Sequence, residues 1–321
     1  MGLDLELEFL GICTLGPESW YTCPMNILLT GASGLLGRPL MTQLKSFDSV
    51  DRLVGTAHSR VRGGLERLDL TNEGEVQAAI KRWEPDLVIH AAAERRPDRV
   101  EEDPSLAERL NVGSTETLAR LTAERGALFI YISTDYVFDG QRPPYRTDSE
   151  TNPLNNYGKM KLQGELAVRR AFAGAPSSWA ILRIPILYGD VENLEESPVT
   201  ELAIKLLNRN PFTAENWASR YPAHAEDVGR AVVLIARRLI EGEGGVYHFA
   251  GPERFTKYEM ARTMAEVLGI DGAMVQADNR PPAGAPRPKD CRLDGSRLEA
   301  LGFTPAIRFK EGIHRTLAPF F

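Results

Sequence analysis

Thr30-Gly31-Ala32-Ser33-Gly34-Leu35-Leu36-Gly37 decides how this chain reads. The run follows an apolar stretch, residues 26–30, and leads into a helical pattern at 35–45. A strand-to-helix turn needs residues without Cβ where backbone must approach a pyrophosphate, and the helix N-terminus then supplies N–H donors and a positive dipole end. Three glycines alone describe only a tight turn. Placed after the first strand of a β-α-β series they describe a dinucleotide site, and Gly31, Ser33, Gly34, Leu35, Leu36 and Gly37 become its first candidates.

Working outward, apolar strands at 26–30, 52–57, 87–91, 128–132 and 180–184 alternate with amphipathic helices at 35–45, 74–83, 105–125 and 157–171. Short buried runs separated by helices predict a parallel sheet covered on both faces. The fold class is therefore α/β, a Rossmann-type doubly wound parallel sheet with a smaller C-terminal lobe. Beyond residue 185 Pro and Gly become frequent. Helices are predicted at 199–208, 225–240 and 257–268, a short strand at 246–250 and a loop at 281–288. The expected organisation is an extension over 1–24, a dinucleotide-binding domain over 25–185, and a smaller lobe over 186–321, with some segments crossing between lobes.

The second strand runs into Gly55-Thr56-Ala57-His58-Ser59-Arg60, with Arg62 close by. An NAD site usually places an acid here for the ribose 2′-hydroxyl. None is present, and Ser59 and Arg60 suit a 2′-phosphate, which favours NADP(H) over NAD(H); the alternative is that Arg60 and Arg62 are solvated loop cations. Asp69, with Leu70, is a candidate for the adenine edge or an ordinary turn aspartate. Ala91-Ala92-Ala93 offers small side chains against which a cofactor lies flat, and Ile184-Pro185 ends another strand beside it. Asn111 is placed to brace this region.

Tyr157-Gly158-Lys159-Met160-Lys161 opens a predicted helix after an Asn/Pro loop. Residues four apart share one helix face, so Tyr157 and Lys161 point together. A phenol titrates near pH 10, and a neighbouring ammonium is expected to lower that value, so that the pair moves a proton while a nicotinamide handles hydride. Ser133-Thr134, at the carboxyl end of the preceding strand, supplies a hydroxyl where open α/β sheets bind ligands. Both hydroxyls qualify, and Thr134 is preferred as the third member of a Thr134/Tyr157/Lys161 triad.

Composition excludes several classes. The chain has 321 residues, 43% hydrophobic and 26% charged, with a net charge of −6, which gives no electrostatic basis for a nucleic-acid partner. Cys13, Cys23 and Cys291 form no CxxC pair, and His58, His248 and His314 have no ligand-spaced companions, so no metal is expected. This cysteine usage suits a reducing, cytoplasmic setting. Residues 1–24 carry Asp4, Glu6, Glu8 and Glu18 and no Lys or Arg, which fits neither a secretory signal nor a mitochondrial presequence. They read as a loosely ordered extension, or as a misassigned start ahead of Met25. No apolar run reaches the roughly 18 residues of a membrane span.

From Gly31 to about Phe320 the chain resembles the dTDP-4-dehydrorhamnose reductases, within the extended short-chain dehydrogenase/reductases. The resemblance is carried by the GxxGxxG spacing, by Ser133-Thr134-Asp135-Tyr136-Val137-Phe138-Asp139-Gly140 and by Pro153-Leu154-Asn155-Asn156-Tyr157-Gly158-Lys159. It implies NADPH-dependent reduction of a 4-keto nucleotide sugar, with Tyr157 as acid, Lys161 supporting it and Thr134 on the keto oxygen. A narrower resemblance is to the regulatory β subunits of methionine adenosyltransferase. It rests on Ala91-Ala92-Ala93-Glu94-Arg95-Arg96-Pro97-Asp98, Leu182-Arg183-Ile184-Pro185-Ile186-Leu187-Tyr188-Gly189, Leu194-Glu195-Glu196-Ser197, Thr256-Lys257-Tyr258-Glu259-Met260-Ala261 and Arg287-Pro288. It implies an NADP-binding subunit that docks on the catalytic subunit and tunes S-adenosylmethionine synthesis. The chain departs from that family where the regulatory subunits continue past Phe321 with a tail that reaches their partner.

Candidates for substrate or partner contact follow from these stretches. Glu94, Arg95 and Arg96 face a nucleotide diphosphate, a protein partner or solvent. Trp217, Arg220 and His224 occupy substrate-lobe positions of the reductases, whose wording is not kept there, and Trp217 suits core packing as well as stacking. Arg287 either reaches a phosphate or is a loop cation.

Overall fold

The computed structural model describes residues 24–47 and 50–321, so the extension expected over 1–24 lies outside the described residues except for its last residue. Eleven strands are named in chain order. They are β1 (Met25–Thr30), β2 (Val50–Ala57), β3 (Glu66–Arg67), β4 (Leu87–His90), β5 (Leu128–Thr134), β6 (Trp179–Ile184), β7 (Leu187–Tyr188), β8 (Phe212–Glu215), β9 (Ala223–His224), β10 (Gly245–His248) and β11 (Val275–Asp278). Seven of them form one parallel sheet in the order β10-β6-β5-β4-β1-β2-β3. That is the doubly wound order with its switch point between β1 and β4, and a seventh strand added beyond β6. The inner strands read as continuous apolar runs because helices cover both faces. Leu28 and Leu29, neighbours in β1, are each fully buried, one in each of two separate cores.

The first core lies under α1 (Gly37–Leu44), whose Leu40 and Leu44 pack on the sheet. Opposite it lie α2 (Glu73–Trp83), α3 (Pro97–Glu102), α4 (Pro104–Glu108), α5 (Ser114–Glu124) and α6 (Asn156–Ala171), of which α2, α5 and α6 fill the second core. Caps fix where these helices begin. Asn72 accepts from the Glu75 amide ahead of α2, and Asn155 accepts from the Gly158 amide ahead of α6, which places Tyr157 in the first turn. The helix predicted at 105–125 is broken by a π-turn, Arg109–Gly113. Asn111 sits in it, buried, accepting from the Glu94 amide at 2.8 Å and donating to the Glu94 carbonyl at 2.9 Å, so the wide turn anchors the loop after β4.

The C-terminal half divides between two places. Residues of α7 (Glu201–Leu207), α9 (Lys257–Val267) and α11 (Phe309–Leu317), with β8 and β11, build a third core of their own. The predicted helix 225–240 and strand 246–250 instead return to the main sheet. Here α8 (Ala225–Ile240) packs beside α1, with Val228, Val232 and Ile235 in the first core, and β10 pairs with β6 from Gly245↔Ala180 to His248↔Arg183. The short α10 (Ser296–Glu299) caps this edge through Arg297, which donates to the Val246 and Gly244 carbonyls at 2.7 Å each. No helix among the described residues is long and apolar enough to cross a membrane.

Candidate active site

A cavity of about 670 Å³ runs along the carboxyl ends of β1, β2, β4, β5 and β6, within the roughly 300–1,000 Å³ usual for cofactor and ligand sites. Its floor at one end is the glycine turn. Gly31 has φ +72°, and a Cβ there would stand 2.8 Å from the Ala92 amide nitrogen and 2.9 Å from its Cα. At Gly37 a Cβ would collide with the Gly31 carbonyl, so the turn closes only with these two positions bare. Ser33, Gly34, Leu35 and Leu36 line the same end, as do Ser59, Arg60, Asp69 and Leu70. Ala91, Ala92, Ala93, Ile184 and Pro185 line the middle. A long slot with a bare glycine turn at a helix N-terminus and a floor of alanines fits a dinucleotide. Asp69 also accepts from the Thr71 amide at 2.9 Å and hydroxyl at 2.7 Å, bonds that lower its carboxyl pKa, so it caps its own turn while facing the slot.

Thr134, Tyr157 and Lys161 converge on the middle of the cavity. The Thr134 hydroxyl lies against the Tyr157 phenol and bonds the Asp135 carboxyl at 3.1 Å. Ser133 turns away and donates to Glu165 at 2.6 Å, part of a buried network in which Glu165 also receives Arg183 Nε at 2.9 Å and Nη2 at 2.7 Å. The expected electrostatics differ. Burial pushes the Tyr157 phenol up, against the Thr134 hydrogen bond, rather than an ammonium pulling it down. Lys161 is itself 4% exposed, and burial draws it down to about 7, opposed only by Glu165; its Nζ stands 4.0 Å above the Tyr131 ring. The lysine thus carries a charge that is easily lost at neutral pH. His90 is fully enclosed between Thr30 Oγ1 at 2.7 Å and Thr115 Oγ1 at 3.1 Å, and burial and then Lys161 draw its imidazole down to about 3, so it is neutral.

The far end is cationic. Arg220 and Arg287 line it together with Lys257 and Asp135, two residues not among the sequence candidates, while Arg95 lines the cavity nearer Glu196. Arg220 is 4% exposed and its Nη2 has no partner. Burial raises Asp135 to about 7 against the pull of Arg220. A signal for Lys257 was present: a lysine at the first position of a helix faces the positive end of its dipole, an unfavourable place unless something else uses the charge.

Four candidates lie elsewhere. Glu94 is absorbed in the Asn111 brace and accepts from the Arg96 amide at 3.0 Å. Arg96 reaches the Glu195 carbonyl and Glu201. Trp217 is half-buried outside the cavity, its amide held by Glu215. His224 caps α8 and packs its ring against Tyr188 at 5.1 Å. Among the described residues no group of His, Cys, Asp and Glu is placed to hold a metal ion, and Cys291 is a buried free thiol.

Strand order, glycine turn and Tyr/Lys placement define a Rossmann-type fold of the short-chain dehydrogenase/reductase class. The chain belongs to the RmlD substrate binding domain family, whose model matches residues 25–321. It is 43% identical over 297 residues to methionine adenosyltransferase 2 subunit beta of Xenopus laevis, covering 91% of this chain and 87% of that one. Identity to the dTDP-4-keto-6-deoxy-D-glucose reductase of Streptomyces niveus is 30%, covering 87% and 91%. The dTDP-4-dehydrorhamnose reductase of Bacillus anthracis, solved in complex with NADP, superposes with a TM-score of 0.78 at 25% identity, covering 92% of this chain and 99% of that one.

Proposed function

We propose that this chain is an NADP-binding regulatory subunit of a methionine adenosyltransferase, acting in the cytoplasm to tune S-adenosylmethionine synthesis. The observation that carries this reading is the gap in likeness: 43% identity to a β subunit against 30% to a reductase, at nearly equal coverage of the chain. The shared fold restrains both comparisons alike, so the excess reflects surfaces and loops that the fold leaves free. In this reading the segments 25–185 and 225–250 hold the dinucleotide, and the remainder of 186–321 presents the partner surface. The glycine turn takes the pyrophosphate, Ala91–Ala93 and Ile184-Pro185 flank the nicotinamide half, and Ser59 and Arg60 read the ribose. When bound, the dinucleotide would supply a hydride-carrying ring beside Tyr157. The test is size-exclusion chromatography with the catalytic subunit from the same organism, with and without NADP, together with that enzyme's kinetics. A shared peak and an altered KM or kcat are expected; separate peaks and unchanged kinetics would overturn the proposal.

The second reading is an NADPH-dependent reductase of a 4-keto nucleotide sugar. It is favoured by one observation, the meeting of Thr134, Tyr157 and Lys161 in a cavity whose far end carries Arg220, Lys257 and Arg287. Thr134 would orient a carbonyl oxygen, Tyr157 would hand it a proton, and the cations would hold a diphosphate. NADPH consumption across 4-keto nucleotide sugars, with binding of the cofactor demonstrated separately, decides it.

A further inference from the structure

Arg60, the arginine expected to greet a 2′-phosphate, and Arg62 beside it are already engaged. Arg60 reaches Glu192 at 3.4 Å and also Glu196, and Arg62 pairs with Glu192. Arg38, on α1 just past the glycine turn, grips Glu196 with two nitrogens, at 3.1 and 2.7 Å, and donates to the Asp190 carbonyl at 2.8 Å. Arg95 holds the Glu196 carbonyl from the loop after β4. All these acceptors belong to one segment, Asp190-Val191-Glu192-Asn193-Leu194-Glu195-Glu196-Ser197, which is rooted in the third core by Leu194 and crosses to the dinucleotide end of the cavity. The Glu196 side chain is 7% exposed and lines that cavity, while Glu192 is 32% exposed.

We propose that this acidic strap competes with the cofactor's 2′-phosphate for Arg60 and Arg62, so that Glu192 sets the preference between phosphorylated and unphosphorylated dinucleotide and the strap loosens only when the phosphorylated form binds. The position after β2 is where this fold reads the ribose 2′ substituent. Three guanidiniums face two carboxylates there, which leaves a single uncompensated positive charge for a phosphate carrying nearly two negative ones. For Arg60 and Arg62 to serve the phosphate, they must give up Glu192. A 2′-hydroxyl makes no such demand and leaves the strap in place. Because the strap is rooted in the C-terminal lobe, the two cofactor forms present different states of that lobe, which gives a regulatory subunit a means of reporting which dinucleotide it holds. This inference rests on the dinucleotide-binding reading above.

The test is calorimetric titration of the full chain with NADP and with NAD, for the wild type, Glu192→Gln and Glu195→Gln. The Glu195 carboxylate faces none of these arginines and serves as the control. Glu192→Gln is expected to tighten NADP about fivefold, the scale of one partly exposed ion pair, while NAD stays within twofold; Glu195→Gln changes neither. Hydrogen exchange over 190–197 is expected to quicken with saturating NADP and not with NAD. An unchanged NADP:NAD ratio in Glu192→Gln, or equal exchange with both cofactors, overturns the strap while leaving dinucleotide binding intact. Failure of the wild type to bind either cofactor overturns both readings.

Discussion

Removing the Glu165 carboxylate would strand the buried Arg183 guanidinium near the carboxyl end of β6. The two side chains are 1% and 3% exposed, and Glu165 accepts three hydrogen bonds, one from Ser133 and two from Arg183. Without it Arg183 keeps His248 Nε2 at 3.2 Å and the face of Phe138 at 5.1 Å, neither of which carries negative charge. Burial together with Arg183 draws the His248 imidazole down to about 3, so it offers a neutral lone pair. Breaking one side of a buried pair costs about 3–5 kcal/mol, because the remaining charge is uncompensated. For a chain of this size that is a fall in Tm of roughly 4–8 °C. Glu165→Ala also removes the group that opposes the depression of Lys161, so the lysine should titrate still lower. The informative comparison is the double replacement Glu165→Met with Arg183→Met, which deletes both charges and fills the space; it should recover most of the loss. Differential scanning calorimetry of the three proteins reads this directly. The reasoning fails if Glu165→Ala melts within 2 °C of wild type, or if the double variant is no better than the single.

Three further outcomes follow from the site. Gly31→Ala forces a Cβ against Ala92 at a φ of +72°; it should cost about 1–3 kcal/mol and abolish detectable dinucleotide binding by calorimetry. Tyr157→Phe should leave cofactor affinity within threefold while lowering any reductase turnover at least about 100-fold; an unchanged turnover would remove Tyr157 from proton transfer. Burial alone would raise Glu196, but its bonds from Arg38, the Glu192 amide and Arg60 outweigh that and hold it at about 2, below its ordinary 4.5. A folded value below the unfolded one stabilises the protein above pH 4.5 and is lost as pH falls toward 2. The melting difference between wild type and Glu196→Gln should accordingly be full at neutral pH and vanish across that window; a difference that persists at pH 2 contradicts it.

Local chemistry was legible in the sequence. The glycine turn, the Asn/Pro loop that precedes α6 and the four-residue spacing of Tyr157 and Lys161 are each written within a few positions, and fold and triad placement follow from them. What depends on distant partners was not. Arg60 read as a 2′-phosphate ligand or, with Arg62, as a solvated loop cation, because its carboxylates come from a segment 132–136 residues later that only the folded chain brings back. Tyr157 and Lys161 share a helix face as expected, yet depth of burial, which no local pattern encodes, pushes the phenol up, away from proton exchange at neutral pH, and draws the lysine down toward it. His224 and Trp217 were drawn in by the substrate-lobe positions of the reductases, with core packing left open for Trp217; in the fold His224 caps α8 and Trp217 packs beneath Lys289. The π-turn at Arg109–Gly113 escaped notice since its apolar pattern is that of an ordinary helix.

The return of α8 and β10 to the first sheet has a consequence for synthesis. By the time residue 184 leaves the ribosome, six strands are available, but the outer edge of β6 must wait for Gly245–His248. The sheet face that α8 will cover stays open over the same interval, exposing the side of the core that Val228, Val232 and Ile235 later seal. A half-made molecule therefore carries both an unpaired strand edge and bare apolar surface, the two features that invite misassembly. Pauses in translation between residues 185 and 250 should be the ones this protein tolerates least, and holdase chaperones should bind its nascent chain there.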